Sequence, residues 1–179
     1  MRLHKTWIVQ AGSDMVAART LHGAGADPCQ VVAKCQQAME KAVKGLVEAM
    51  NALDLMTMPV DSTHRVARYA SAMVRAVDAA PKAHRFLKVE LPRLFPEHVQ
   101  SCIAALDDVV PQYPKKGALA AKNTEYPFQL SVTEWRAPSA PEVFGRGDVR
   151  RYLAAADRVQ GGASKVISAL ERGFPGAML

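Results

Sequence analysis

Aromatic side chains are scarce: Phe, Trp and Tyr together make up 6% of the 179 residues. Strands favour aromatic and β-branched residues. This scarcity, beside abundant alanine, argues for packed helices rather than sheets. Cysteine is nearly absent. Cys29, Cys35 and Cys102 form an odd set without metal-site spacing, and they read as small buried hydrophobes in a reducing compartment. The five histidines are scattered, with no two at ligand spacing on a helix, so no metal is expected. No cofactor is expected. A glycine-rich phosphate loop is missing, and Ser13 and Ser164 have no candidate base near them in sequence, so P-loop and hydrolase chemistry lack support. No apolar run approaches the roughly 18 residues of a membrane span. The basic N-terminus, Met1 to Trp7, is followed by no apolar signal core. These absences predict a cytoplasmic protein without membrane contact.

What is present is consistent with that class. Hydrophobic residues amount to 49%, enough for a core, and the length suits one domain over 1–179 with its core at about 3–172. The formal net charge is +6. Such a balance favours an anionic partner: nucleic acid, nucleotide or membrane surface.

Periodicity and punctuation predict an all-α, mostly antiparallel up-and-down bundle of four to five helices. A first helix over about 3–23 buries Trp7, Ala11, Met15, Ala18 and Leu21, and Gly23 and Gly25 stop it. A second opens on Asp27-Pro28, a cap residue and a first-turn proline. Asp61, Ser62 and Thr63 are candidate caps for a third, with Val66, Tyr69, Met73 and Val77 inward and Pro81 at its end. The stretch 82–94 reads as a short helix or turn. Pro96 starts a further helix carrying Val99, Cys102, Ile103, Leu106 and Val110. The pattern is lost from Pro111 to Gly147, a long proline- and aromatic-containing loop. The last helix, about 148–172, has a stripe of Val149, Leu153, Ala156, Val159, Ala163, Val166 and Leu170, with Gly161-Gly162 allowing close helix contact.

The second helix is strongly two-faced. Cys35, Ala38, Met39, Ala42, Leu46 and Met50 share one side. Lys34, Gln37, Lys41, Lys44 and Glu48 fall opposite, within roughly 80°. One reading is a solvated face with a Glu40–Lys44 surface pair worth about 0.3–0.5 kcal/mol. The other is a face that presents ammonium and amide groups to a phosphate or a dimer partner. Gln36, nearer the apolar edge, suits a buried amide that bonds a neighbouring helix or loop.

The order of these features resembles the HEPN family (higher eukaryotes and prokaryotes nucleotide-binding). Trp7 leads the first helix, with Asp14 seven residues on. CQQAMEKAVKGL, Cys35 to Leu46, lies on the second helix, His64 near the start of the third, and NTEYP, Asn123 to Pro127, before the last. The family has a helix reading QQAxEKxxKxL, a histidine near a helix start and a YP segment in that order. The resemblance covers Trp7 to about Leu170. It implies a helical bundle, often a homodimer, whose members include nucleotide-binding modules and metal-independent ribonucleases, many of them toxins. The ribonucleases use an Arg-x4–6-His motif. Arg93 and His98 match it formally, although Leu94 replaces the usual polar residue after the arginine and Pro96 interrupts the spacing.

Three functions follow as expectations. The first is a binding module for a nucleotide or other phosphate-bearing ligand, RNA included. Its groove would be built from Gln37, Lys41, Lys44, His64, Arg65, Asn123 and Tyr126. A capping or packing histidine and a loop anchored by its own aromatics are the plainer readings of His64 and of Asn123, Tyr126 and Trp135. The second is a metal-independent endoribonuclease, with Arg93 stabilising phosphate charge and His98 as general acid or base. The third is an interaction bundle with a partner such as a nucleotidyltransferase. Arg146, Arg150 and Arg151 are either solvated charges or a phosphate-facing patch.

Overall fold

The computed structural model describes residues 3–79, 84–111, 122–131 and 133–175. Within them the chain is an all-α bundle: α1 (Leu3–Gly23), α2 (Pro28–Ala52), α3 (Ala67–Ala79), α4 (His84–Leu94), α5 (Glu97–Asp107) and α6 (Arg146–Gly173). The sequence predicts at most five. The sixth is α4, over the stretch that reads as a short helix or turn, and it runs through Pro92. A proline near the last turn removes one backbone bond without displacing the helix end. The expected stop at Pro81 lies outside the described residues.

Extensive burial and packing against four other helices make α2 the axis of the bundle. Sixteen of its residues are buried, from Cys29 to Met50. It packs against α1, α6, α3 and α5. α1 comes closest. A Cβ built on Gly45 would stand 3.0 Å from Trp7 Cβ, 3.1 Å from the His4 carbonyl and 3.3 Å from Ile8 Cγ1. The second close contact is at Gly162 of α6, which faces the Phe95 ring. All three cysteines are buried thiols, and burial pushes Cys35 up to about 12.

Two helix starts differ from their expected caps. Asp27 makes no side-chain capping bond at α2. The third helix begins at Ala67 rather than beside Ser62, and its cap comes from elsewhere. The Asp107 carboxylate of α5 accepts the N–H groups of Val66 and Ala67 at 2.9 and 3.0 Å. Asp61 instead accepts the Tyr69 hydroxyl at 2.8 Å and pairs with Arg68, which holds its carboxyl at about 2. The inward set Val66, Tyr69, Met73 and Val77 is buried as expected.

The segment before α6 carries a two-residue antiparallel ladder, β1 (Phe128–Gln129) with β2 (Trp135–Arg136), in register Phe128 to Arg136. Phe128, Val143 and Phe144 anchor it in the core. Among the described residues, no helix is long and apolar enough to cross a membrane.

Candidate functional site

α2 brings the predicted lysines and glutamines together, with Gln36 and Lys44 buried and Lys34, Gln37 and Lys41 half-buried. Lys44 is 3% exposed and Glu40 7%. Lys44 Nζ donates to Glu40 Oε1 at 2.7 Å and lies 5.7 Å from the centre of the Trp7 ring. The other oxygen of Glu40 meets His64 Nδ1 at 2.9 Å. Gln36, almost fully buried, donates its amide to the His64 carbonyl at 3.2 Å. Gln36 therefore holds the chain leading to α3 against α2, the role its position suggests.

A second cluster adjoins the first. Asp14 is the one carboxylate on α1, and it is buried. It pairs with Lys41 and, at 3.4 Å, with Lys34. Lys34 also donates to Gln37 Oε1 at 2.9 Å. These groups stabilise one another because burial weakens screening and each charge has a hydrogen-bonded counterpart. The Glu40–Lys44 contact is therefore not the exposed pair the sequence suggests. The reading of α2's polar side as an open phosphate groove is corrected at Lys44, which is enclosed, and at Lys41, which is held by Asp14.

The remaining predicted residues divide between places. His64 keeps a largely exposed ring, 60% accessible, with Nδ1 turned to Glu40. Arg65 is exposed and its charge acts on Asp107, whose carboxyl burial raises. Asn123 is buried and its Oδ1 accepts the N–H groups of Glu125 and Tyr126 at 3.0 and 2.7 Å, a side-chain-held turn. That turn meets the first half of α2. Lys34 and Gln37 line a recess of about 350 Å³ with Thr124, Glu125 and Ser139. Arg93 and His98 are remote from all of this. They line one groove of about 330 Å³ against α6, with Arg158 and Lys165. Arg93 pairs with Glu90 of its own helix.

The sequence reading passed over Asp14 and Glu40 as site residues, and also Arg158, Lys165 and Arg172 of α6. Asp14 was detectable: it stands three after Ala11 and four before Ala18, on α1's inward stripe. A carboxylate there requires a cation on the facing helix. Set against protein-family models, curated proteins and solved structures, the chain matches none of them.

Proposed function

We propose that the chain is a HEPN-like binding module for a nucleotide or other phosphate-bearing ligand, acts as a homodimer, and receives phosphates on the outer face of α6. The charge on that helix carries the reading. α6 holds Arg146, Arg150, Arg151, Arg158, Lys165 and Arg172 against only Asp148, Asp157 and Glu171. Each acid is engaged: Asp148 with the Gly145 N–H and Arg151, Asp157 with Arg19, Glu171 with Lys5. Arg146, Arg150, Arg158, Lys165 and Arg172 are exposed and make no hydrogen bond or ion pair among the described residues. At a rise of 1.5 Å per residue this track is about 39 Å long, enough for several phosphates of a single strand. Order and spacing in CQQAMEKAVKGL support the family.

A homodimer finds support in α1. Thr6, Val9, Ser13, Val16 and Thr20 are exposed, uncharged and spaced alternately by three and four. In a chain of charge +6, two copies meet there without opposing like charges. Sedimentation of Val9→Lys/Val16→Lys checks this: the wild type runs as a dimer and the variant as a monomer.

The binding test is a titration of a short single-stranded oligoribonucleotide. With about four phosphates neutralised, affinity falls roughly 50-fold between about 50 and 200 mM salt. Arg158→Gln/Lys165→Gln reduces the salt slope by about 1.4 and weakens binding at least ~10-fold. Absence of binding at low salt, or an unchanged slope in the variant, removes the reading. The ribonuclease reading has one observation in its favour: Arg93 and His98 share a groove with Arg158 and Lys165. The same oligonucleotide, incubated in EDTA, tests it. Cleavage that persists in His98→Ala, or no cleavage by the wild type, excludes this pair.

A further inference from the structure

The outer face of α6 ends in a pocket that contains Arg146 and Arg150, two of the three arginines that the sequence offers as a phosphate-facing patch. At one end of the bundle the last turn of α1, the start of α2 and the start of α6 enclose about 450 Å³, within the usual range for small-molecule sites. The turn after α1 shapes one wall. Gly25, at φ 70°, lets the Ala26 N–H reach the Leu21 carbonyl at 3.0 Å, which brings His22 and Ala26 to the rim.

The lining has two kinds of surface. Pro28, Val31 and Val149 form an apolar floor, and His22, Arg146 and Arg150 supply the titratable groups. Among the described residues, no acidic side chain lines the pocket. Asp148, the acid nearest in sequence to the two arginines, is turned away: its carboxylate accepts the Gly145 N–H at 3.1 Å and the Arg151 guanidinium at 3.3 Å. Arg146 and Arg150 stand four apart on one helix face, and His22 approaches from α1. None of the three has a hydrogen-bonding or ionic partner among the described residues.

Two guanidinium groups one turn apart match phosphate oxygens, which each fork can bind bidentately. Bare inorganic anion binding has no use for the apolar floor. We propose that this pocket takes a small organic phosphate, with its phosphate groups on Arg146 and Arg150 and its apolar or flat body against Val31, Val149 and Pro28. The inference rests on the reading of this chain as a phosphate-binding module and names a class of ligand for it. It separates two parts of α6: a pocket at its first turns and an open track beyond.

Calorimetric titration with adenosine diphosphate, adenosine and inorganic pyrophosphate at low salt tests the pocket. The diphosphate is expected to bind once per chain, at least ~10-fold tighter than either of the others. Arg146→Gln and Arg150→Gln each weaken it ~10-fold or more, and Arg75→Gln, at an exposed position of α3 outside pocket and track, leaves it unchanged. These arginines are exposed, so the variants keep the wild-type fold within about 0.5 kcal/mol. Equal binding of pyrophosphate reduces the site to an anion patch and overturns the proposal. So does wild-type affinity in both pocket variants, or no diphosphate binding. Oligoribonucleotide binding that persists while the diphosphate fails removes the pocket and leaves the proposed function standing. Loss of both removes both.

Discussion

Lys44→Ala is expected to destabilise the protein by about 3–5 kcal/mol, because it leaves the Glu40 carboxylate buried without its principal cation. For a chain of this size that is a fall of roughly 10 °C in Tm. The cause is desolvation rather than loss of attraction. Glu40 and Lys44 are both buried, so neither can turn to water when its partner is removed. His64 remains within 2.9 Å of Glu40, but its ring is exposed and its charge is screened. Replacing both members with apolar residues of similar size, Glu40→Leu with Lys44→Met, is expected to be near neutral or stabilising. Thermal melts of the single and double variants decide the matter. A Lys44→Ala protein within 1 kcal/mol of wild type, roughly the size expected of a surface pair, places this lysine in solvent.

The second large effect is at Gly45. Alanine there gains about 1 kcal/mol of helix propensity. It also inserts a methyl group 3.0 Å from Trp7 Cβ and 3.1 Å from a backbone carbonyl, neither of which can swing aside. Overpacking of this kind costs about 1–3 kcal/mol. Valine adds two further methyl groups and a stiff χ1, so Gly45→Val is expected to lose about 3 kcal/mol. Gly12, on the opposite partner helix, has no atom within 4 Å of its would-be Cβ. Gly12→Ala is therefore expected to stabilise by about 0.5–1 kcal/mol. Urea midpoints of the two variants should move in opposite directions. If both rise, α1 does not cross α2 at this point.

These two positions also mark where sequence reasoning succeeded and where it stopped. Apolar steps of three and four, with Gly and Pro as punctuation, placed α1, α2, α5 and α6 and the inward side of α3. They identified Gln36 as a buried amide. They misjudged the lysine side of α2, because periodicity classifies a residue by its own type. A lysine and a glutamate four apart look the same whether water or another helix covers them. The cover is α1, and Asp14 was the clue to it. The cap of α3 was illegible for a different reason: Asp107 lies forty residues from Ala67, so no local window contains the bond. On α6, attention to the apolar stripe left Arg158, Lys165 and Arg172 unremarked, although their lack of partners among the described residues is what separates them from the lysines of α2. The Arg93 and His98 pair shares a groove, but no element of the α2 network reaches it.

The axial position of α2 also sets an order of assembly. α1 and α2 are joined by only four residues, 24–27, whereas α2 ends at position 52 and α6 begins at 146. Closing the longer connection costs about 3 kcal/mol more chain entropy than closing the shorter one. The hairpin of α1 on α2, with its apolar seam and its ionic contacts, therefore forms early, and α6 docks onto it late. Trp7 sits inside that hairpin, so its fluorescence follows the first contacts of folding rather than the last.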